Sequence, residues 1–140
     1  MSVDVFRAGN VAVVTGAALG IGRAACQRFA ELGMSVCLAD LAGEDLESAR
    51  VLAAEASPRG TDAVLMHPTD VSDPDQMGQL QRAVDDRFGV PHLLMNNAVT
   101  RIGRGGPVDL AVWRRAFDVN FWGCVQGVEA FLPGMLARGA

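Results

Sequence analysis

The stretch VVTGAALGIGRAA, Val13 to Ala25, constrains this chain more than any other. Its first residues are apolar and β-branched, its middle carries Gly16, Gly20 and Gly22, and its end runs on into helix-forming residues. A short apolar run that stops at a glycine reads as a strand covered on both faces. The Gly-x-x-x-Gly-x-Gly spacing then makes a turn that opens a helix. Glycine suits such a turn because it takes dihedrals that other residues avoid, and because it has no Cβ to keep a ligand away from the backbone. Free amides and the positive end of the following helix attract an anion. The turn therefore predicts a pyrophosphate cradle built from Gly16, Leu19, Gly20, Ile21 and Gly22.

The rest of the chain repeats this alternation. A strand over Val11–Thr15 leads into a helix with Ile21, Ala25, Phe29 and Leu32 on its apolar stripe, closed by Gly33. A second strand, Ser35 to Asp40, precedes a helix from about Glu44 to Ala56 with Leu46, Ala49, Ala53 and Ala56 on one side. The third strand is expected over Ala63 to His67. Ser72 or Asp73 then caps a helix with Pro74 in its first position, and Met77, Leu80, Val84 and Phe88 face inward. Gly89 and Pro91 stop it, and His92 to Ala98 supplies a fourth strand. Strands alternating with helices of this length imply a parallel sheet with right-handed crossovers and helices on both faces. The expected fold is a Rossmann-like, doubly wound, three-layer α/β/α sheet in the order 3-2-1-4.

From Asp109 to Arg138 the pattern is helical, with a kink expected near Pro133. This helix is apolar on more than one face. Trp113, Phe117, Phe121, Cys124, Val128 and Met135 form one stripe, and Trp122, Val125, Leu132 and Leu136 another. One stripe is expected to meet the sheet and the other a partner, so the full-length protein is read as a homo-oligomer through residues 113–137.

Composition narrows the function. The chain has 140 residues, read as one domain over 1–140, with 50% hydrophobic and 20% charged residues. A net charge of −4 argues against a nucleic-acid partner, which needs a clustered basic surface. No apolar run reaches the roughly 18 residues of a membrane span, and the N-terminal MSVDVFRAGN does not read as a signal peptide. A cytoplasmic protein without membrane association is expected. Cys26, Cys37 and Cys124 form no Cys-x-x-Cys pair, so no metal site and no disulfide framework is expected.

Asp40 ends the second strand at about the 20-residue offset where an acid meets the adenosine ribose in dinucleotide folds. A carboxylate there accepts from the 2′-hydroxyl and repels a 2′-phosphate. Leu19 and Leu41 offer no cation to such a phosphate, so NAD is favoured over NADP.

Taken in order, Thr15-Gly16-x-x-x-Gly20-Ile21-Gly22, Asp40, Asp70-Val71, Asn96-Asn97-Ala98 and Asn120 in DVNFWG resemble the short-chain dehydrogenase/reductase family, from about Asn10 to the end of the chain. The resemblance implies that Asp70 bonds the adenine amino group and Val71 lines its pocket. It implies that Asn97 and Ala98 pass beside the adenosine ribose, that Asn96 ties the central strands, and that Asn120 supports a water in a proton relay. The residues alone also allow Asp70 to cap a turn and the asparagine pair to close a loop. Position 99 departs from the family, with Val where the motif has Gly. A β-branched residue tolerates positive φ poorly, so the loop either keeps ordinary dihedrals or approaches the cofactor differently.

The family interconverts an alcohol and a ketone or aldehyde by hydride transfer, with a Tyr-x-x-x-Lys pair and a serine as its catalytic groups. This chain has no tyrosine, and its twelve basic residues are all arginine. His67 and His92 read as strand-end histidines. The chain is therefore read as the N-terminal, cofactor-binding portion of a longer enzyme acting on a small alcohol or carbonyl compound, inactive by itself. Two alternatives differ in class. One is a non-catalytic module that binds NAD or a partner; the other is an S-adenosylmethionine-dependent methyltransferase, whose usual Gly-x-Gly-x-x-Gly spacing does not fit. The stretch Arg101 to Asp109 suits a substrate-pocket wall or an exposed loop.

Overall fold

The computed structural model describes residues 4–103 and 105–139, which leaves Met1–Val3, Arg104 and Ala140 outside the described residues. Four parallel strands, β1 (Val11–Thr15), β2 (Ser35–Asp40), β3 (Val64–Pro68) and β4 (Leu93–Met95), lie in the order β3-β2-β1-β4. Val13 pairs with Cys37 on one side and Leu94 on the other, so β1 is the centre of the sheet. Strand alternation divides the core. Ala12, Val14, Val36 and Leu38 pack under helices α1 (Gly20–Glu31) and α2 (Glu44–Ala56), while Val11, Val13, Cys37 and Ala39 face α3 (Pro74–Phe88) and α5 (Gly123–Arg138). This is the three-layer Rossmann-like arrangement.

Local signals account for most boundaries. Asp73 caps α3, its side chain accepting from the backbone N–H of Asp75 and Gln76, with Pro74 leading the helix. Gly33 stands at φ +81° after α1, where a Cβ would be strained, and its N–H bonds back to the Ala30 carbonyl.

Three expectations are corrected. In α1 the buried face is Gly22, Cys26 and Ala30, one position along from the expected stripe, and Ile21 is 74% exposed. Small residues let the helix lie close to the sheet, while Phe29 and Leu32 cover the edge of the core. A 3₁₀ turn over Gly60–Ala63 precedes β3, so the strand begins one residue later than expected. β4 has three residues rather than seven, because the N–H groups of Asn97 and Ala98 leave the ladder for the Thr15 hydroxyl.

The largest correction concerns the C-terminal helical segment. It comprises α4 (Leu110–Phe117), a π-helical turn over Asp118–Trp122, and α5. The interruption is this turn; Pro133 lies inside α5 without ending it. Neither expected stripe forms the buried seam, although Met135 of the first packs partly against the core. Ala116, Val119, Gly123, Gly127 and Phe131 are the buried residues, and both expected stripes are exposed or partly covered. The close packing explains why. A Cβ on Gly123 would lie 2.7 Å from Val71 Cγ2, and one on Gly127 would lie 2.3 Å from Asn96 Oδ1. Among the described residues no helix is long and apolar enough to cross a membrane.

Candidate functional site

A cavity of about 560 Å³ opens beyond the C-terminal ends of β1, β2 and β3, where a doubly wound sheet binds its ligand. It lies between the turn after β1 and the loop after β4. Every residue expected to hold a cofactor lines it except Gly22.

The three glycines of the turn serve different purposes. Gly16, at φ +67°, packs so tightly on the loop after β4 that a Cβ would come within 2.7 Å of Ala98 Cα. A Cβ on Gly22 would lie 2.1 Å from the Gly16 carbonyl oxygen. These two close the turn on itself. Gly20, at φ +56°, has nothing within 4 Å of a Cβ position, and it is the glycine that leaves open space at the start of α1. No side chain caps α1, and no acidic residue stands in its first turn, so the positive end of the helix faces the cavity.

Asp40 braces the turn from the end of β2. Its Oδ2 accepts from the Ala18 N–H at 2.9 Å and its Oδ1 from the Leu41 N–H at 2.7 Å. A carboxylate offers about four lone-pair directions, so the outward side of each oxygen remains for hydroxyl donors. Leu19, Ile21 and Leu41 form an exposed apolar rim.

The loop after β4 is tied to the turn through Thr15, a hub that sequence reasoning missed. Thr15 Oγ1 donates to the Met95 carbonyl and accepts from the N–H groups of Asn97 and Ala98. Asn97 Nδ2 donates to the carbonyls of Thr15 and Gly16, both at 3.1 Å. The tying role expected of Asn96 thus belongs to Asn97. Asn96 instead presses on Gly127, and its Oδ1 is buried without a partner among the described residues. Val99 is 73% exposed and no described non-glycine residue has positive φ, so position 99 keeps ordinary dihedrals despite the missing glycine.

Asp70 follows β3 and lines the cavity with Val71. Its Oδ1 accepts from the Ser72 N–H, the turn-capping role that the residues alone allowed, and its Oδ2 accepts from Arg115 at 3.0 Å. Burial raises the Asp70 pKa, but the Ser72 bonds and the Arg115 guanidinium outweigh it and hold the carboxyl below its ordinary value. Arg115 carried no local signal, since it stands 45 positions from Asp70, while Ser72 was expected only as a helix cap. Asn120 lies outside the cavity lining, on the π turn. Its side chain accepts from the Thr100 N–H at 2.7 Å and donates to the Thr100 carbonyl at 2.9 Å, clipping the loop after β4 to the helix. Within Arg101 to Asp109, Arg101 lines the cavity, whereas Arg104 lies outside the described residues. His67 and His92 sit at strand ends, half-buried.

The residues present fit a dinucleotide: open space at Gly20, an uncapped helix start, and a carboxylate at the end of β2 within one cavity. A parallel sheet in this order, with helices on both faces and a glycine turn at its switch point, defines a Rossmann-like α/β domain.

The short chain dehydrogenase family profile matches residues 10–140, and the chain belongs to that family. It is 38% identical over 137 residues to 1-deoxy-11-beta-hydroxypentalenate dehydrogenase of Streptomyces exfoliatus, covering 93% of this chain and 47% of that protein. Among solved structures it resembles a short chain dehydrogenase/reductase from Burkholderia phymatum in complex with NAD, with TM-score 0.86, 36% identity, and 99% of this chain and 48% of that chain covered. It also resembles a metagenomic short-chain oxidoreductase in complex with NADP, with TM-score 0.85, 31% identity, and coverage of 95% and 59%. The chain spans about half the length of the curated relatives it matches. Such neighbours support a nicotinamide dinucleotide, and nothing among them supports the methyltransferase alternative.

Proposed function

We propose that this chain is the cofactor-binding part of an NAD-dependent oxidoreductase that interconverts a small alcohol and its ketone or aldehyde. The observation that carries the reading is Asp40, held at the cavity by Ala18 and Leu41. Its charge suits the vicinal hydroxyls of an NAD ribose and opposes a 2′-phosphate, for which Leu41 supplies no counter-charge. The nicotinamide ring, when bound, supplies hydride exchange with the carbinol carbon. The residues of this chain bind and orient: the start of α1 and the Gly20 backbone take the pyrophosphate, Asp70 and Val71 the adenine, and Asn97 and Ala98 the ribose edge. Asn120 holds the Thr100 loop in place beside the reacting end, which is how it would support a proton relay.

The test is titration calorimetry with NADH and NADPH on the parent and on Asp40→Ala. The parent is expected to prefer NADH, and the substitution to shrink that preference by about tenfold or more, the scale of a charged hydrogen bond. An unchanged preference would remove NAD as the assigned cofactor. The 140 residues alone, lacking tyrosine and lysine, are expected to bind NADH without turnover; alcohol-dependent NAD reduction by them would refute this.

The exposed aromatic face of α4 and the π turn supports homo-oligomerisation in the full-length protein. Sedimentation of Trp113→Ser together with Phe117→Ser should then show a smaller species than the parent, and an unchanged mass would rule that face out. The free thiols suit a cytoplasmic setting: burial pushes Cys26 up to about 12 and raises Cys37 as well. Recovery of the protein in a secreted fraction would contradict it.

A further inference from the structure

Arg115 reaches from α4 to the turn after β3 and lines the same cavity as Asp70. Its guanidinium donates to Asp70 Oδ2 at 3.0 Å and to Ser72 Oγ at 2.5 Å. Ser72 donates to Asp70 Oδ1 twice, from Oγ at 2.6 Å and from its backbone N–H at 3.0 Å. The Asp70 N–H is itself tied to Gln76 Oε1 at 2.8 Å. An aspartate on a turn would otherwise sample several rotamers. Here three of its about four acceptor directions are filled, and the one left belongs to Oδ2, the oxygen that Arg115 holds.

We propose that Arg115 is a positioning residue which, through Asp70, sets which purine the crevice accepts, favouring a base with an amino group at ring position 6 over one with an oxygen there. The inference rests on the reading of this cavity as a dinucleotide site with Asp70 at the base. An ionised carboxylate can only accept, so the remaining direction on Oδ2 welcomes an amino donor and repels a carbonyl oxygen. The forked guanidinium matters because it spans Asp70 and Ser72 together. A lysine ammonium, a point charge on a flexible stem, would not fix both.

The experiment compares calorimetric affinities for NADH and reduced nicotinamide hypoxanthine dinucleotide, which differ at that ring position, using the protein in its full natural length. The parent is expected to prefer NADH by about tenfold. Arg115→Ala should cut the preference to about twofold, and Arg115→Lys, which keeps the charge and the helix, should fall between, on the same scale. The ratio reads the base contact itself, so a purely structural loss, weakening both dinucleotides equally, would overturn the proposal. So would an unchanged ratio in both variants. A parent that binds neither dinucleotide defeats the cofactor reading and this inference with it. A parent that favours NADH while Arg115→Ala keeps that ratio defeats the inference alone.

Discussion

The crevice and the α4–α5 arm are built by opposite means. In the crevice, main-chain groups meet main-chain groups or short polar side chains: Thr15, Asp40 and Asn97 each bind backbone atoms of another segment or turn. In the arm, Ala116, Val119, Gly123, Gly127 and Phe131 form the buried seam, and most of the large side chains are exposed. The difference teaches where each region keeps its information. The crevice encodes it in hydrogen bonds that close one turn on another, and the arm in a seam of mostly small residues that leaves large apolar side chains exposed.

The comparison breaks most readily where atoms are closest. Gly22→Ala places a methyl 2.1 Å from a carbonyl oxygen that cannot move without opening the turn, and is expected to cost about 3 kcal/mol or more in denaturant unfolding. Phe131→Ala, at a side chain 2% exposed, should cost a similar ~3–5 kcal/mol by leaving a cavity against the sheet. If either change is neutral, the close packing described for its region is wrong. Gly20→Ala sharpens the contrast. It should lose only ~1–2 kcal/mol for the left-handed backbone, while NADH affinity falls because the methyl occupies space open to the ligand. Equal affinity in calorimetry would show that Gly20 does not face the pyrophosphate.

On the outer side of the arm, Trp113→Ser is expected to change the chain's own stability by under ~0.5 kcal/mol, since that side chain is 45% exposed. The smallest effect is expected at the base of the sheet. The Val11 N–H donates to His92 Nδ1 at 3.1 Å, which requires a neutral ring there. Burial, helped by Arg138, lowers the His92 pKa from its ordinary 6.5. The folded state then takes up a proton less readily than the unfolded chain, so this contribution is complete above pH 6.5 and is lost as pH falls below it. Unfolding midpoints measured from pH 7.5 down to about 5, the range where histidine titrates, should decline more steeply for the parent than for His92→Asn. Parallel profiles would remove His92 from the account.

How much of this was legible in the sequence depended on whether the cause was local. Val11–Thr15, Ser35–Asp40 and Glu44–Ala56 appear with the expected limits because β-branched runs and glycine or proline breakers act over a few residues. The glycine turn and Asp40 were legible for the same reason, and the structure brings them into one cavity with Asp70 and Asn97. The inward face of α1 was not, because hydrophobic periodicity looks for large residues, and that helix packs with Gly22, Cys26 and Ala30. The arm misled for the same reason on a larger scale. Thr15 as a hub and the Arg115–Asp70 pair were invisible because each depends on segments joined only by the sheet topology.

The π turn at Asp118–Trp122 has a consequence for how this protein can change length. An α-helix advances about 100° per residue, but a π turn holds one residue more than an α turn, so losing one residue there would let it close to α geometry with Gly123, Gly127 and Phe131 still at the seam. A one-residue deletion is therefore expected to be tolerated better in that stretch than within α5, where it would rotate the seam. The segment therefore holds a residue of slack in the helical register between α4 and α5.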